Sequence, residues 1–179
     1  MKSLTLLRHA KSTWDDPVER DFDRPLNRRG RKAARAIGAE MHRLGLAFDA
    51  VMASPARRVK ETLAEVERGY RRPLDPVFDE RVYLGSVETL LGIVRAAAGP
   101  AERLLLVGHN PGLEGLAMAL TAGTGLRDEL AIKYPTGALA EIALPAGSWS
   151  EVQPGTGRIE LFVRPRDLAP ELGPDEDTY

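Results

Sequence analysis

The fold of this 179-residue chain is decided by the stretch RLLLVGHNPG, residues 103–112. Its apolar run, Leu104 to Val107, is continuous, which is typical of a parallel strand covered on both faces. Glycine and proline then interrupt the pattern, and apolar residues resume at helical spacing from Leu113. A strand, a tight turn and a helix in this order predict an α/β layered domain, with His109 at the carboxyl end of a buried strand.

The rest of the chain alternates in the same way. Strands are predicted at 4–7, 48–53, 138–144 and 158–163, and a short edge strand at 76–78. One helix is predicted from Asn27 to Gly45, a second after Ser54-Pro55 and a third over Val87 to Ala98. Asn27 and Ser54 are suited to cap the first two helices, with Pro55 as the first residue of the second. We therefore expect a three-layer sandwich with a mainly parallel central sheet flanked by helices.

Composition narrows the function. The net charge of −1 shows no excess of basic residues that would indicate nucleic-acid binding. The sequence has no apolar run long enough to span a membrane, so no membrane partner is predicted. Cysteine is absent, so neither a disulfide framework nor a thiolate metal site is expected, and we predict a cytoplasmic protein. Basic residues cluster at 28–35. That cluster is either a solvated helix face or a positive rim that steers an anionic substrate.

The carboxyl ends of parallel strands meet at one edge of a sheet, where open α/β sheets bind ligands. The first predicted strand ends at Arg8-His9, the second at Ser54 with Arg57 and Arg58 following, and the buried strand at His109-Asn110. Guanidinium groups match phosphate oxygens, and a neutral imidazole can act as a covalent nucleophile. The helix start at Asn110 adds backbone N–H groups for an anion.

Other uses of histidine have less support. Two histidines without a cysteine or a matching acidic pair are a poor ligand set, so no metal and no other cofactor is predicted. His42, the third histidine, lies late in an amphipathic helix and is interpreted as a surface residue.

Four segments in this order resemble the histidine phosphatase superfamily, the phosphoglycerate mutase-like fold. They are LLRHAKS at 6–12, SPARRVKET at 54–62, DERVY at 79–83 and VGHNPG at 107–112. Two more, DRPL at 23–26 and YPTGA at 134–138, are similar to the branch of bacterial phosphohistidine phosphatases typified by SixA. The resemblance covers about residues 1–167. It implies a histidine phosphatase domain over 1–167, and we interpret 168–179 as an acidic C-terminal tail.

The resemblance also implies roles for residues. His9 would be the nucleophile, and Arg8, Arg58 and His109 would clamp the phosphate. Arg58 is selected over Arg57 because the arginine of the family lies four residues after the serine. The proton donor would be Glu80. Ser12 and Asn110 are further candidates for phosphate contacts.

Two features depart from the common pattern of the superfamily. Ala10 stands where most members have glycine, which we interpret as a marker of the SixA-like branch. The stretch between the second strand and Glu80 is short, without the lid inserted in larger members, which predicts an open, shallow pocket.

The resemblance implies a metal-independent phosphatase that acts through an enzyme phosphohistidine. Its substrate would be a phosphohistidine on a protein or a small phosphate ester. A mutase is disfavoured because it must retain its product in an enclosed site. A module that binds phosphorylated protein without turnover stays an alternative. A nucleotide-binding protein is disfavoured because no glycine-rich phosphate loop follows the first strand.

Overall fold

The computed structural model describes residues 1–14, 20–97 and 99–173. The strands are β1 Lys2–Arg8, β2 Ala50–Ala53, β3 Val77–Phe78, β4 Arg103–Gly108, β5 Leu139–Leu144 and β6 Arg158–Val163. The helices are α1 Arg28–Arg43, α2 Arg57–Tyr70, α3 Val87–Arg95, α4 Gly112–Leu120, α5 Leu126–Ile132 and α6 Pro165–Leu168. Short 3₁₀ turns lie at Asp21–Asp23, Glu80–Val82, Trp149–Glu151 and Pro170–Leu172.

The strands form one sheet in the order β3-β2-β4-β1-β5-β6. The first four strands of that order are parallel, and β5 and β6 join as an antiparallel hairpin on the β1 side. Arg8 is registered with Gly108, so the two central strands end side by side. The residues that follow them, His9 and His109, are thereby brought to the same edge.

Both faces of the sheet are covered. Along β4, Leu104 and Leu106 belong to the cluster beneath α3 and α4, whereas Leu105 and Val107 belong to the cluster beneath α1 and α2. This alternation explains why the run lacks polar residues: each face of the strand packs against a helical layer. The predicted three-layer sandwich with a mainly parallel sheet is confirmed.

The two helices on the first face pack closely. A Cβ atom at Gly38 in α1 would lie 2.1 Å from the carbonyl oxygen of Val66 in α2. A Cβ atom at Gly69 in α2 would lie 2.1 Å from the carbonyl oxygen of Arg35. A side chain at either position would push the helices apart. The glycines therefore help to fix α2, whose first turn carries Arg58.

Helix starts were predicted with mixed success. Asn27 caps α1, and its side chain accepts a hydrogen bond from the backbone N–H of Gly30 at 2.7 Å. The prediction that Ser54 caps the second helix, with Pro55 as its first residue, is wrong, because α2 begins at Arg57 after Ala56. The Ser54 hydroxyl is engaged instead by the ring of His109 at 2.7 Å.

The described part of the predicted C-terminal tail has regular structure. Residues 168–173 continue from α6 into a 3₁₀ turn, and Leu168 packs against the core. Residues 174–179 lie outside the described part. So do residues 15–19 of the predicted loop at 11–26, and Ala98 of the third predicted helix. Within the described ranges, no helix combines the length and apolarity needed to cross a bilayer.

Candidate active site

A cavity of about 610 Å³ opens at the carboxyl edge of the parallel strands. Arg8, His9, Arg58 and His109 all line it. The sequence-predicted convergence of these side chains therefore occurs at one surface. Residues 164–166 and 172–173 form another wall of this cavity.

His9 directly follows β1 and is buried, with only 5% of its surface exposed. Its Nδ1 lies 2.7 Å from the carbonyl oxygen of Ala10. A carbonyl oxygen only accepts hydrogen bonds, so Nδ1 carries the proton and the Nε2 lone pair is free. Burial lowers the pKa of His9 well below its usual value, and the charges of His109, Arg8 and Arg58 lower it further against the opposing effect of Ala10. His9 is thus a neutral, fixed imidazole.

Arg8 is the last residue of β1. Its Nη1 donates to the carbonyl oxygen of Tyr134 at 3.0 Å, and burial lowers its pKa from the ordinary value. Its buried Nε has no hydrogen-bond partner among the described residues, and the same is true of the Nε of Arg58. Buried guanidinium N–H groups without acceptors are the kind of donor that an anion satisfies.

Arg58 lies in the first turn of α2 and is 2% exposed. Its Nη1 donates to the backbone oxygen of Asp21 at 2.7 Å, and its Nη2 lies 3.0 Å from the Asp21 carboxylate. The same Nη2 lies 3.2 Å from Nδ1 of His109. The neighbouring Arg57 instead pairs with Glu61 on the exposed side of the helix. Of the two arginines, Arg58 is therefore the one inside the site.

His109 faces His9, with 5.2 Å between the ring centroids. Because the Arg58 guanidinium only donates, Nδ1 of His109 accepts from it, and Nε2–H donates to Ser54 Oγ at 2.7 Å. Burial, followed by the charge of Arg58, lowers the pKa of His109 to about 3. His109 is therefore also neutral, in the opposite tautomer to His9.

Asp21 is a member of the site that sequence reasoning missed. Its carboxylate accepts from Arg58, from Nε of Arg24 at 3.1 Å and from the hydroxyl of Tyr83. Burial alone would raise the pKa of Asp21, but the hydrogen bonds from Tyr83 and Arg58 and the nearby arginine charges lower it to about 2. Asp21 lies in a predicted loop with no periodic pattern. The sequence feature nearest to it was the adjoining DRPL segment at 23–26, which resembles the SixA-like branch.

Ser12 and Asn110 line the cavity, but each has a partner within the protein. The hydroxyl of Ser12 accepts from Nη1 of Arg24 at 2.9 Å. The Asn110 amide donates to the Tyr134 carbonyl at 2.9 Å and accepts from the backbone N–H of Glu114 at 3.2 Å. Tyr134 O thus holds both Asn110 and Arg8, and it links two sides of the cavity.

Glu80 is placed differently. It begins the 3₁₀ turn after the edge strand β3, is exposed, and is not among the described residues that line the cavity. Phe78 of β3, two residues before Glu80, is also 43% exposed. His42 is an exposed residue of α1, as predicted for a surface histidine.

The cavity is strongly cationic. One carboxylate, Asp21, is found among its described lining residues, against eight arginine and lysine side chains. The eight are Arg8, Lys11, Arg24, Arg29, Arg58, Lys133, Arg164 and Arg166. Since the whole chain has a net charge of −1, positive charge is concentrated here rather than spread evenly. Such a cavity attracts and holds anions.

The basic cluster at 28–35 is divided between two roles. Arg29 lines the cavity, which agrees with the positive-rim interpretation. Arg31 lies 3.5 Å from Glu61, and Arg35 pairs with Glu65 at 2.8 Å, so these two arginines form ion pairs between α1 and α2. Across the described ranges, no group of three or more metal-ligating side chains is assembled.

Comparison with known proteins agrees with this geometry. Residues 4–90 match the sequence profile of the histidine phosphatase superfamily (branch 1). An uncharacterized protein of Mycobacterium tuberculosis is 33% identical over 164 residues, which cover 89% of this chain and all of that protein.

Solved structures extend the match. The putative phosphohistidine phosphatase SixA from Agrobacterium tumefaciens is 30% identical, with a TM-score of 0.77 over 91% of this chain and 97% of that chain. The putative phosphohistidine phosphatase SixA from Nakamurella multipartita is 27% identical, with a TM-score of 0.78 over 92% of this chain and 96% of that one.

Proposed function

Because this chain belongs to the histidine phosphatase superfamily, in its SixA-like branch, we propose that it hydrolyses its substrate through a phosphohistidine formed on His9. Membership supports phosphatase activity; the nucleophile, the other catalytic roles and the substrate class are our proposal. One observation carries it: a neutral imidazole, whose Nε2 accepts no hydrogen bond from the described residues, lies in a cavity beside the buried Arg58, the half-buried Arg8 and a second neutral histidine.

In the first step, Nε2 of His9 attacks phosphorus and the bond from phosphorus to the leaving oxygen or nitrogen breaks. The imidazole becomes a phosphorylated cation, and its Nδ1–H stays hydrogen-bonded to the Ala10 carbonyl, 2.7 Å away. That carbonyl fixes the tautomer and stabilises the positive charge that develops on the ring. In the second step, water attacks phosphorus, the nitrogen–phosphorus bond breaks, and neutral His9 is restored as phosphate leaves.

Arg8 and Arg58 would stabilise the phosphoryl oxygens during both transfers. Electrostatic stabilisation by preorganised donors is commonly the largest contribution to such catalysis. Asp21 and His109 contact the terminal nitrogens of Arg58 and so fix its direction. Ser12 would contribute by holding Arg24 in place. Asn110 would contribute by holding the Tyr134 carbonyl, which also accepts from Arg8.

A proton donor is needed when the leaving group is a strong base. Glu80 is proposed for this role from the family resemblance, and it would also activate water in the second step. Because Glu80 is exposed in the Glu80–Val82 turn, this role would require that the leaving group extend to Glu80 or that the turn move toward the cavity. A phosphorylated imidazole is a better leaving group than an alkoxide, so a phosphohistidine substrate would depend less on the donor.

Two substrate classes have separate support. The likeness to the SixA structures of Agrobacterium tumefaciens and Nakamurella multipartita, both described as putative phosphohistidine phosphatases, favours a phosphohistidine on a protein. The cavity volume of about 610 Å³ favours a small phosphate ester, because pockets for small molecules have volumes of about 300–1,000 Å³. We propose the protein substrate first and the small ester second.

We also propose that no metal is required, because the guanidinium groups supply the positive charge that a cation would otherwise provide. Activity should persist in excess chelator. Loss of turnover in chelator, restored by one divalent metal, would overturn this part of the proposal.

The central test is release of phosphate from a panel that holds a phosphohistidine protein and several small esters. Rapid quenching under neutral or basic conditions with a labelled substrate should trap label on His9. Binding of the phosphoprotein without any release of phosphate would instead identify a recognition module. Label on another residue would refute the proposed nucleophile.

A further inference from the structure

A buried hydroxyl connects the backbone beside His9 to the helix that carries Arg58. Thr62 lies in α2, one turn after Arg58, and the residue is fully buried. Its Oγ1 accepts a hydrogen bond from the backbone N–H of Ala10 at 3.0 Å and donates one to the carbonyl oxygen of Arg58 at 2.6 Å. A hydroxyl has one proton and two lone pairs, so it can serve both partners at once.

The peptide group between His9 and Ala10 is held at both of its polar atoms. The carbonyl oxygen of His9 accepts from the backbone N–H of Gly137 at 2.9 Å, and the N–H of Ala10 donates to Thr62. The carbonyl oxygen of Ala10 in turn lies 2.7 Å from Nδ1 of His9. Thr62 therefore anchors the residue whose carbonyl anchors the imidazole.

The bond to the helix carbonyl is common, and the bond to Ala10 is not. A helical threonine often donates to the carbonyl four residues earlier. Thr121, at the end of α4, does so to the carbonyl of Ala117 at 2.7 Å, and it is not among the described residues that line the cavity. Thr62 differs because it also accepts from a backbone N–H that lies 52 residues earlier in the chain.

Loss of the Thr62 hydroxyl would leave the Ala10 N–H in a buried place without an acceptor. A buried donor without a partner is unfavourable, so the backbone at Ala10 would shift. The Ala10 carbonyl would move with it and would hold Nδ1–H of His9 less well. The hydrogen bond at one ring nitrogen decides which nitrogen carries the proton, so the direction and the tautomer of His9 would both be affected.

We propose that Thr62 is a positioning residue of the reaction, whose hydroxyl holds Ala10 and thereby fixes the tautomer and the direction of His9 relative to Arg58. This inference rests on the proposed function, in which His9 is the nucleophile. The terminal nitrogens of Arg58 keep their own contacts to Asp21 and His109. Removal of the hydroxyl should therefore slow the chemical step and leave phosphate binding nearly unchanged.

Variants of Thr62 with and without a hydroxyl test this in the full chain. Thr62→Val has nearly the same shape and should lower kcat on an activated aryl phosphate about tenfold or more, because small displacements of reacting groups are costly. The Kd of phenylphosphonate, measured by calorimetry, should change by less than about threefold. Thr62→Ser keeps the hydroxyl and should retain kcat within about threefold.

Thr121→Val is the matched control, because it removes the same kind of hydrogen bond to a helix carbonyl. Its kcat should stay within about twofold of that of the unaltered protein. An equal fall in kcat in Thr62→Val and Thr121→Val, or no recovery in Thr62→Ser, would indicate a general loss of packing and would overturn the proposal.

Nitrogen-15 NMR of the imidazole rings measures the tautomer without turnover, and the resonances that are absent in His9→Ala belong to His9. The unaltered protein and Thr121→Val should show His9 as the Nδ1–H tautomer, whereas Thr62→Val should show a mixture of tautomers. An unchanged kcat or an unchanged tautomer in Thr62→Val would each overturn the proposal.

A second pair of variants covers the case in which Thr62→Val does not fold. Thr62→Ala and Thr121→Ala remove the same hydroxyls without adding a methyl group, and only Thr62→Ala should lower kcat and mix the tautomers. Equal behaviour of the two alanine variants would overturn the proposal. Label trapping tests the phosphatase mechanism separately. Label on a residue other than His9 would refute the proposed function, whereas label on His9 with full kcat in Thr62→Ala would refute only the role of Thr62.

Discussion

Two parts of the molecule follow the carboxyl ends of parallel strands, yet they differ in structure. One is the floor of the cavity, formed by His9 and His109, and the other is the segment Asp79–Leu84. His9 and His109 follow the central strands β1 and β4, and both rings are buried and hydrogen-bonded. Glu80 follows β3, a two-residue edge strand whose residues are exposed, and it stays at the surface. A strand end orients a side chain toward the site only where neighbouring strands and helices surround it.

The largest effect is expected at the floor. His9→Ala should reduce kcat by about 10³-fold or more, because the Nδ1 lone pair of His109 already accepts from Arg58 and cannot replace the lone pair of His9. The measurement is steady-state hydrolysis of an activated aryl phosphate, with label trapping in parallel. His42→Ala, which alters an exposed histidine of α1, should leave kcat within about twofold. Full activity in His9→Ala would remove the covalent mechanism.

A second comparison separates two adjacent arginines. Arg58→Ala should lower kcat/KM by about 10²- to 10³-fold, the usual loss when one preorganised donor is removed. Arg57→Ala, on the exposed face of α2, should change it by about twofold or less. Arg58→Lys tests geometry, since one ammonium group replaces two terminal nitrogens that reach both Asp21 and His109. It should recover only part of the loss. A larger defect in Arg57→Ala would show that the assignment is displaced by one residue.

The third prediction concerns the surface segment. Glu80→Gln should reduce the rate on an alkyl phosphate by about 10²-fold, at the low end for general acid catalysis because this position is exposed to water. On an activated aryl phosphate or a phosphohistidine, whose leaving groups need little protonation, the loss should be under about threefold. Single-turnover rates on the three substrates measure this difference.

Glu88→Gln, an exposed carboxylate in the first turn of α3, is the control for the charge change. Equal losses on all three substrates would remove the general-acid role from Glu80. No loss on any substrate would leave the proton donor unassigned, since Asp21, with a pKa of about 2, is ionised at neutral pH and cannot replace Glu80 in that role.

The comparison also explains what the sequence could predict. The apolar runs of the central strands placed Arg8, His9 and His109, because each run ends where polar residues begin and so marks the carboxyl end of its strand. Asp21 and Tyr83 lie in loop and turn segments whose positions depend on tertiary contacts, and α5 was not predicted because its seven residues carry too short a pattern. The start of α2 shifted from Ser54-Pro55 to Arg57 because the serine hydroxyl serves His109. No pattern in the sequence of residues 164–166 and 172–173 predicts that they line the cavity.

The smallest expected effect is a change of kcat with pH. An imidazole with the usual pKa of about 6.5 would be only about one-tenth neutral at pH 5.5. Burial, reinforced by His109, Arg8 and Arg58, lowers the pKa of His9 well below that value, so the attacking form should persist. We therefore expect kcat to change by less than about twofold between pH 7 and 5.5.

The measurement must separate His9 from two other titrations. Phosphate esters take up a proton near pH 6, so kcat is compared at saturating substrate at each pH. Since His9 and His109 have lowered pKa values in the folded protein, the unfolded chain binds more protons below pH about 6.5, and stability falls as pH falls. The Tm must therefore stay well above the assay temperature at pH 5.5. With both conditions met, a tenfold fall in kcat with an apparent pKa near 6.5 would mean that water reaches His9 and that burial does not keep its imidazole neutral. The buried histidines would then not differ chemically from the exposed Glu80 segment.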